Sequence, residues 1–153
     1  MWDWAVRAYA GEGVAEACVS LQDDHGQCVP LVLWASWRGD AARAGDAARI
    51  ARDWQAAILP LRAVRRRLKT EISAGDAADR LALRAQVKAA ELQAEKALMA
   101  RLAALDGGKS TLNQDVAEAL RATAAAWGGT APAEALSRLS QALTKGGFLG
   151  YTD

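Results

Sequence analysis

The residues best placed by type and spacing to do chemistry are Arg62, Arg65, Arg66, Arg67 and Lys69. On a helix, positions 62, 65, 66 and 69 follow the i, i+3, i+4, i+7 rule and share one face. Segment 60–73 carries five cations and one carboxylate, so its net charge is +4 and the rest of the chain holds −3. Guanidinium groups clustered in this way can grip phosphate with two donors at once, which suits RNA, DNA or an acidic protein surface. Leu61, Val64, Leu68 and Ile72 form the opposite, apolar stripe. No aromatic residue interleaves with the arginines, which counts against stacking on single strands. The plainer reading is a solvated face paired with acids of the next helix. A turn at Gly75 sets position 87 opposite 62, with Glu91 one helical turn further, so Arg62–Glu91 is the expected ion pair. In order of expectation come internal pairing or solvation, then a protein partner, then nucleic acid.

Cys18, His25 and Cys28 are the soft metal ligands of the chain. Their spacing, C-x6-H-x2-C, matches no common zinc pattern, although Asp23 or Asp24 could complete four ligands. Cys18 shares an apolar face with Val14 and Leu21 and reads as a buried structural thiol. No metal, cofactor or catalytic set is expected. A small-molecule or metal-dependent enzyme at the Cys18, His25 and Cys28 turn stands as an alternative. Gly107-Gly108-Lys109-Ser110-Thr111 resembles the end of a phosphate loop, but Ala103 stands where the first glycine belongs and a helix precedes it instead of a strand. Trp2, Trp34, Trp37 and Trp54 can line an apolar pocket, while core packing is the commoner role of aromatics at helical spacing.

The elements that must position these groups are helical. The chain has 153 residues, 52% hydrophobic and 24% charged, with a net charge of +1, which excludes a disordered chain and a strongly basic or acidic one. Its 37 alanines favour helix throughout. Helices are expected over 2–10, 14–21 and 30–38, the last with Pro30 in its first turn. The next starts at Asp46 as cap and runs to Leu59, with a kink or restart at Pro60 and helix again to 73. The longest spans 77–105 behind Asp76, and two more end at Trp127 and near Lys145, capped by Ser110 or Thr111 and opened by Pro132. The long helix carries two apolar stripes, one of which a second subunit could cover. No stretch approaches 18 apolar residues and the Met1-Trp2-Asp3-Trp4 start lacks a basic leader, so a cytoplasmic protein without membrane contact is expected.

Several blocks resemble a family of short proteobacterial proteins of unknown function. They are Trp2 with Tyr9, Gly13-Val14, Cys18, Leu21-Gln22-Asp23, Gly26 and Val29–Trp37. Pro60-Leu61-Arg62 with Arg65-Arg66 and Leu68-Lys69 belongs to the same likeness, as does Lys88 with Glu91-Leu92 and Glu95. Cys28-Val29-Pro30 departs from the Asp-Val-Asn common in such proteins. The resemblance implies a bacterial helical protein and brings no activity with it.

The expected fold is therefore an all-α, single-domain helical bundle with a Trp-rich N-terminal cluster and a long-helix antiparallel hairpin. The domain spans 1–145, divided into 1–59, 60–105 and 110–145, and 146–153 is a flexible tail. The expected function is a non-enzymatic protein-interaction or regulatory module that binds a protein partner, with a homodimer as one form. Nucleic-acid binding through the basic face at 62–69 is the first alternative.

Overall fold

Small residues at helical spacing set the frame. Ala44, Ala47, Ala48 and Ala51 are all buried, so the helix that carries them can approach its neighbours closely. The computed structural model describes residues 1–70, 76–105, 115–129 and 131–149. They form α1 Trp2–Tyr9, α2 Val14–Asp23, α3 Val29–Arg38, α4 Ala44–Thr70, α5 Ala77–Ala103, α6 Val116–Trp127 and α7 Ala133–Lys145. There is no strand among the described residues, and the expected all-α class holds.

Helix α3 is the hub. Its apolar residues circle the whole girth, and Leu31, Val32, Leu33, Trp34 and Ala35 are buried. It touches α1, α2, α4, α5 and α6. Pro30 lies in its first turn, where no N–H is needed. Gly39 ends it at φ +78°, a left-handed conformation that glycine adopts without steric penalty. Buried Arg38 donates through Nη1 to the Leu105 carbonyl at 3.2 Å and pairs through Nε with Asp40 at 3.1 Å. One side chain thus satisfies a carbonyl at the end of α5.

Helix α4 narrows the sequence expectation at one point and departs from it at another. It is one 27-residue helix with Pro60 inside, so the chain does not restart there. Asp46 is not the cap; it lies in the first turn and pairs with Arg43 at 2.9 Å and Arg49 at 3.5 Å, where a carboxylate favours the helix dipole. Proline removes one backbone hydrogen bond. The helix continues because buried Ile58 before it and buried Arg62 after it are both held by neighbours.

The C-terminal pair closes the core. Asp115 caps α6 by accepting from the Glu118 backbone N–H at 2.9 Å; Ser110 and Thr111, the expected caps, lie outside the described residues, as does the rest of the glycine-lysine segment. Leu136, Leu139 and Leu143 form the buried stripe of α7, which packs on α2 and α6. Of the segment set apart as a flexible tail, Phe148 and Leu149 pack against the core. The Trp4 indole N–H donates to the Phe148 carbonyl at 3.2 Å.

Candidate functional site

The basic face and the long helix meet as the hairpin arithmetic requires. Arg62 Nε donates to Glu91 Oε1 at 2.8 Å, its Nη2 to Glu95 Oε1 at 2.7 Å and its Nη1 to Gln22 Oε1 at 2.7 Å. Arg65 grips the same Glu91, with Nη2 3.3 Å from Oε1 and Nε on Oε2. Arg66 pairs with Asp23 at the end of α2 at 2.9 Å. The helix is therefore turned so that Arg62 is buried, whereas Val64 of the expected core stripe is 43% exposed. Three acidic groups face the arginines from α2 and α5, and turning Val64 inward instead would leave those carboxylates without their cations. Ile72 lies outside the described residues.

The electrostatics follow from this geometry. Burial pushes the Glu91 carboxyl up, but hydrogen bonds from Arg65 and Arg62 more than offset it and hold the group below its ordinary value. Glu95 shows the opposite balance: burial raises it against the pull of Arg62, with Glu91 adding to the rise. Asp23 is lowered by hydrogen bonds from Gln22 and Arg66.

A cleft of about 450 Å3 opens beside this cluster, lined on the basic side by Arg62, Arg65, Arg66, Lys69, Arg84 and Lys88 and on the acidic side by Asp23, Glu91 and Glu95. Lys69, Arg84 and Lys88 have no ion-pair partner among the described residues. Arg67 does not line it; its carbonyl accepts from Arg80 at 3.5 Å.

A second cleft, of about 410 Å3, adjoins the first. Trp2, Val29, Leu33 and Met99 are among its apolar walls, and it shares Tyr9, Val19, Gln22, Leu92 and Glu95 with the basic cleft. Of the four tryptophans expected at a pocket, Trp2 lines it. Trp34 is fully buried in the core, and Trp37 and Trp54 are half-buried against that core. Reasoning from sequence missed Tyr9, Val19, Arg84, Lys88 and Leu92. Arg84, Lys88 and Leu92 recur at four-residue spacing along one face of α5, which was a readable signal; Tyr9 and Val19 join them only through tertiary packing.

The Cys18 and Cys28 turn is closed. Both cysteines are buried and neither forms a disulfide. Burial pushes the Cys18 thiol up to about 12 and the Cys28 thiol up to about 11, the latter despite a 3.2 Å hydrogen bond from Gln55 Nε2 to its sulfur. Such thiols stay protonated at neutral pH and are poor nucleophiles. Neither should react with a disulfide reagent at pH 7.5 in the folded protein, and both should react on denaturation; a fast reaction in the native state would contradict this placement. Among the described residues no group of three or more His, Cys, Asp and Glu converges as a metal site.

No helix among the described residues is long and apolar enough to cross a membrane. Residues 1–102 match a protein family described as protein of unknown function (DUF2390). No curated protein and no solved structure matches the chain.

Proposed function

The chain belongs to this family of unknown function, and from its geometry we propose a non-enzymatic protein-interaction module whose docking element is the α4–α5 hairpin. One observation carries the reading. Of the eight large hydrophobic residues exposed on the described surface, four lie on the hairpin outside both clefts: Leu59, Val64, Leu81 and Leu83. From 76 to 90, no residue of α5 is buried. Exposed apolar side chains concentrated on one projecting element mark an interaction surface.

The hairpin has two unlike flanks. Leu61, Val64 and Leu68 share one face of α4, and Leu83 and Val87 share one face of α5. None of these lines the basic cleft, so the apolar flank lies away from the charged one. The partner is a protein that meets this apolar flank, and a second copy of the chain is one form it can take. Nucleic acid is the weaker reading because Arg62, Arg65 and Arg66 are spent on internal carboxylates, which leaves few cations to displace counterions.

The test is a photo-crosslinking residue placed at Leu83 and, as a control, at exposed Ser137 on α7. An adduct of one defined mass at 83, lost on Val64→Glu and absent at 137, supports the reading. A self-adduct at 83 identifies the second copy. The same adducts at both positions, or none at 83, reject it.

A further inference from the structure

The two adjoining clefts have opposite chemistry, and their junction is specific. The first is apolar and about 410 Å3, at the lower end of the range of small-molecule sites, which suits one hydrocarbon chain rather than two. The second holds six cations against three carboxylates. Those carboxylates are answered internally: Glu91 by Arg62 and Arg65, Glu95 by Arg62, and Asp23 by Arg66. The surplus is Lys69, Arg84 and Lys88.

At the junction stand Tyr9, Val19, Gln22, Leu92 and Glu95, the last already paired with Arg62 at 2.7 Å. Lys88 lies one helical turn from Leu92 and Arg84 one turn further, all along the same face of α5. A group leaving the apolar cleft past Leu92 therefore comes within reach of the Lys88 ammonium and the Arg84 guanidinium, neither of which has an ion-pair partner among the described residues. The Tyr9 hydroxyl makes no hydrogen bond among the described residues, and the Arg84 guanidinium, which lines the cleft, has no ion-pair partner there. Both are donors awaiting an acceptor. At the other end, Lys96 lies 5.6 Å from the centre of the Trp2 ring, which holds that apolar wall in place.

The geometry points to a binding site for a free, single-chain fatty-acid carboxylate, with its tail in the apolar cleft and its head at Lys88, Tyr9 and Arg84. The tail removes apolar wall from water. The carboxylate gains charge-assisted hydrogen bonds, which are the strong kind. This site is independent of the apolar flank at Val64 and Leu83.

The probe is dodecanoate below its micelle concentration, followed by amide chemical shifts and by calorimetry on the full chain. One molecule is expected per chain, with shifts grouped at Tyr9, Val19, Lys88 and Leu92. Lys88→Glu and Val19→Asp each alter an exposed side chain and should weaken binding by about tenfold or more. Lys88→Gln should weaken it less, and circular dichroism should show unchanged helix in all three. Dodecanol, which lacks the charge, should bind at least about tenfold more weakly, and inorganic phosphate alone should not bind. Val64→Glu should leave dodecanoate binding as it is, so loss of a protein partner and loss of this site are separable. The proposal is overturned if dodecanoate does not bind as a monomer, if dodecanol binds as tightly, if the two exposed variants bind as the parent does, or if only phosphatidylglycerol vesicles bind.

Discussion

Replacing Arg62 by Ala is expected to lower the unfolding free energy by about 3–5 kcal/mol. Arg62 and Glu91 are 9% and 5% exposed, and among the described residues Arg62 alone forms an ion pair with Glu95. Without the guanidinium, Glu95 keeps no cation and Glu91 keeps only Arg65. At roughly 2–4 °C per kcal/mol for a chain of this size, the melting temperature should fall by about 10 °C. Urea denaturation at pH 7 checks this. Replacing Arg62, Glu91 and Glu95 together by Leu should recover most of the loss, since a whole buried ion cluster is often no better than an apolar one. An Arg62→Ala midpoint equal to the parent's would mean that water already screens the cluster.

Acid adds a sign to this prediction. The Glu91 carboxyl is lowered by folding, so its contribution is present above its unfolded value and is lost as pH falls through the folded one. Glu95 is raised by folding, so its charge costs stability at neutral pH and that cost is relieved on acidification. The two oppose each other. Glu95→Gln should make the loss of stability between pH 7 and the acid range steeper than in the parent.

The second large effect is at Trp34. Trp34→Ala is expected to cost about 3–5 kcal/mol, because the side chain is fully buried at the hub of the fold. Trp34→Phe should cost far less. The indole Nε1 is buried without a hydrogen-bond partner among the described residues, so phenylalanine removes an orphan donor while keeping most of the ring. The Arg38 guanidinium, 5.8 Å from the ring centre, keeps an aromatic face in either case. Equal damage from Ala and Phe would show that the N–H has a partner after all.

Glycine and proline made much of this fold readable. Gly39 and Pro132 sit at helix ends, and Pro30 sits in a first turn, because each has a local backbone reason to be there. The Arg62–Glu91 pair was readable from counting across one turn, since an antiparallel hairpin fixes which positions face each other. Pro60 was readable in part: helix was expected on both sides of it, but local propensity does not say that the two sides form one continuous element. The orientation of α4 was half legible: its charged and apolar faces were identified, but Asp23, Gln22 and Glu95, which draw the arginines inward, come from other helices. The apolar cleft was the least legible part. Its walls come from α1, α2, α3 and α5, so no periodicity within one helix could assemble it.

Pro60 also divides the long helix in time. The missing N–H at 60 leaves one rung of the backbone ladder empty at the point where α4 passes from the alanine-packed bundle to the hairpin. Before it, amides from Ala44 to Ile58 are shielded by a buried apolar face. After it, Arg62 is the one buried side chain before Thr70, and it is held by charge instead of oil. Amide exchange is therefore expected to be faster beyond Arg62 than before Pro60, since fewer buried apolar side chains shield that end of the helix. A stiff base with a looser arm lets the exposed leucines adapt their packing to a partner without disturbing the core that carries them.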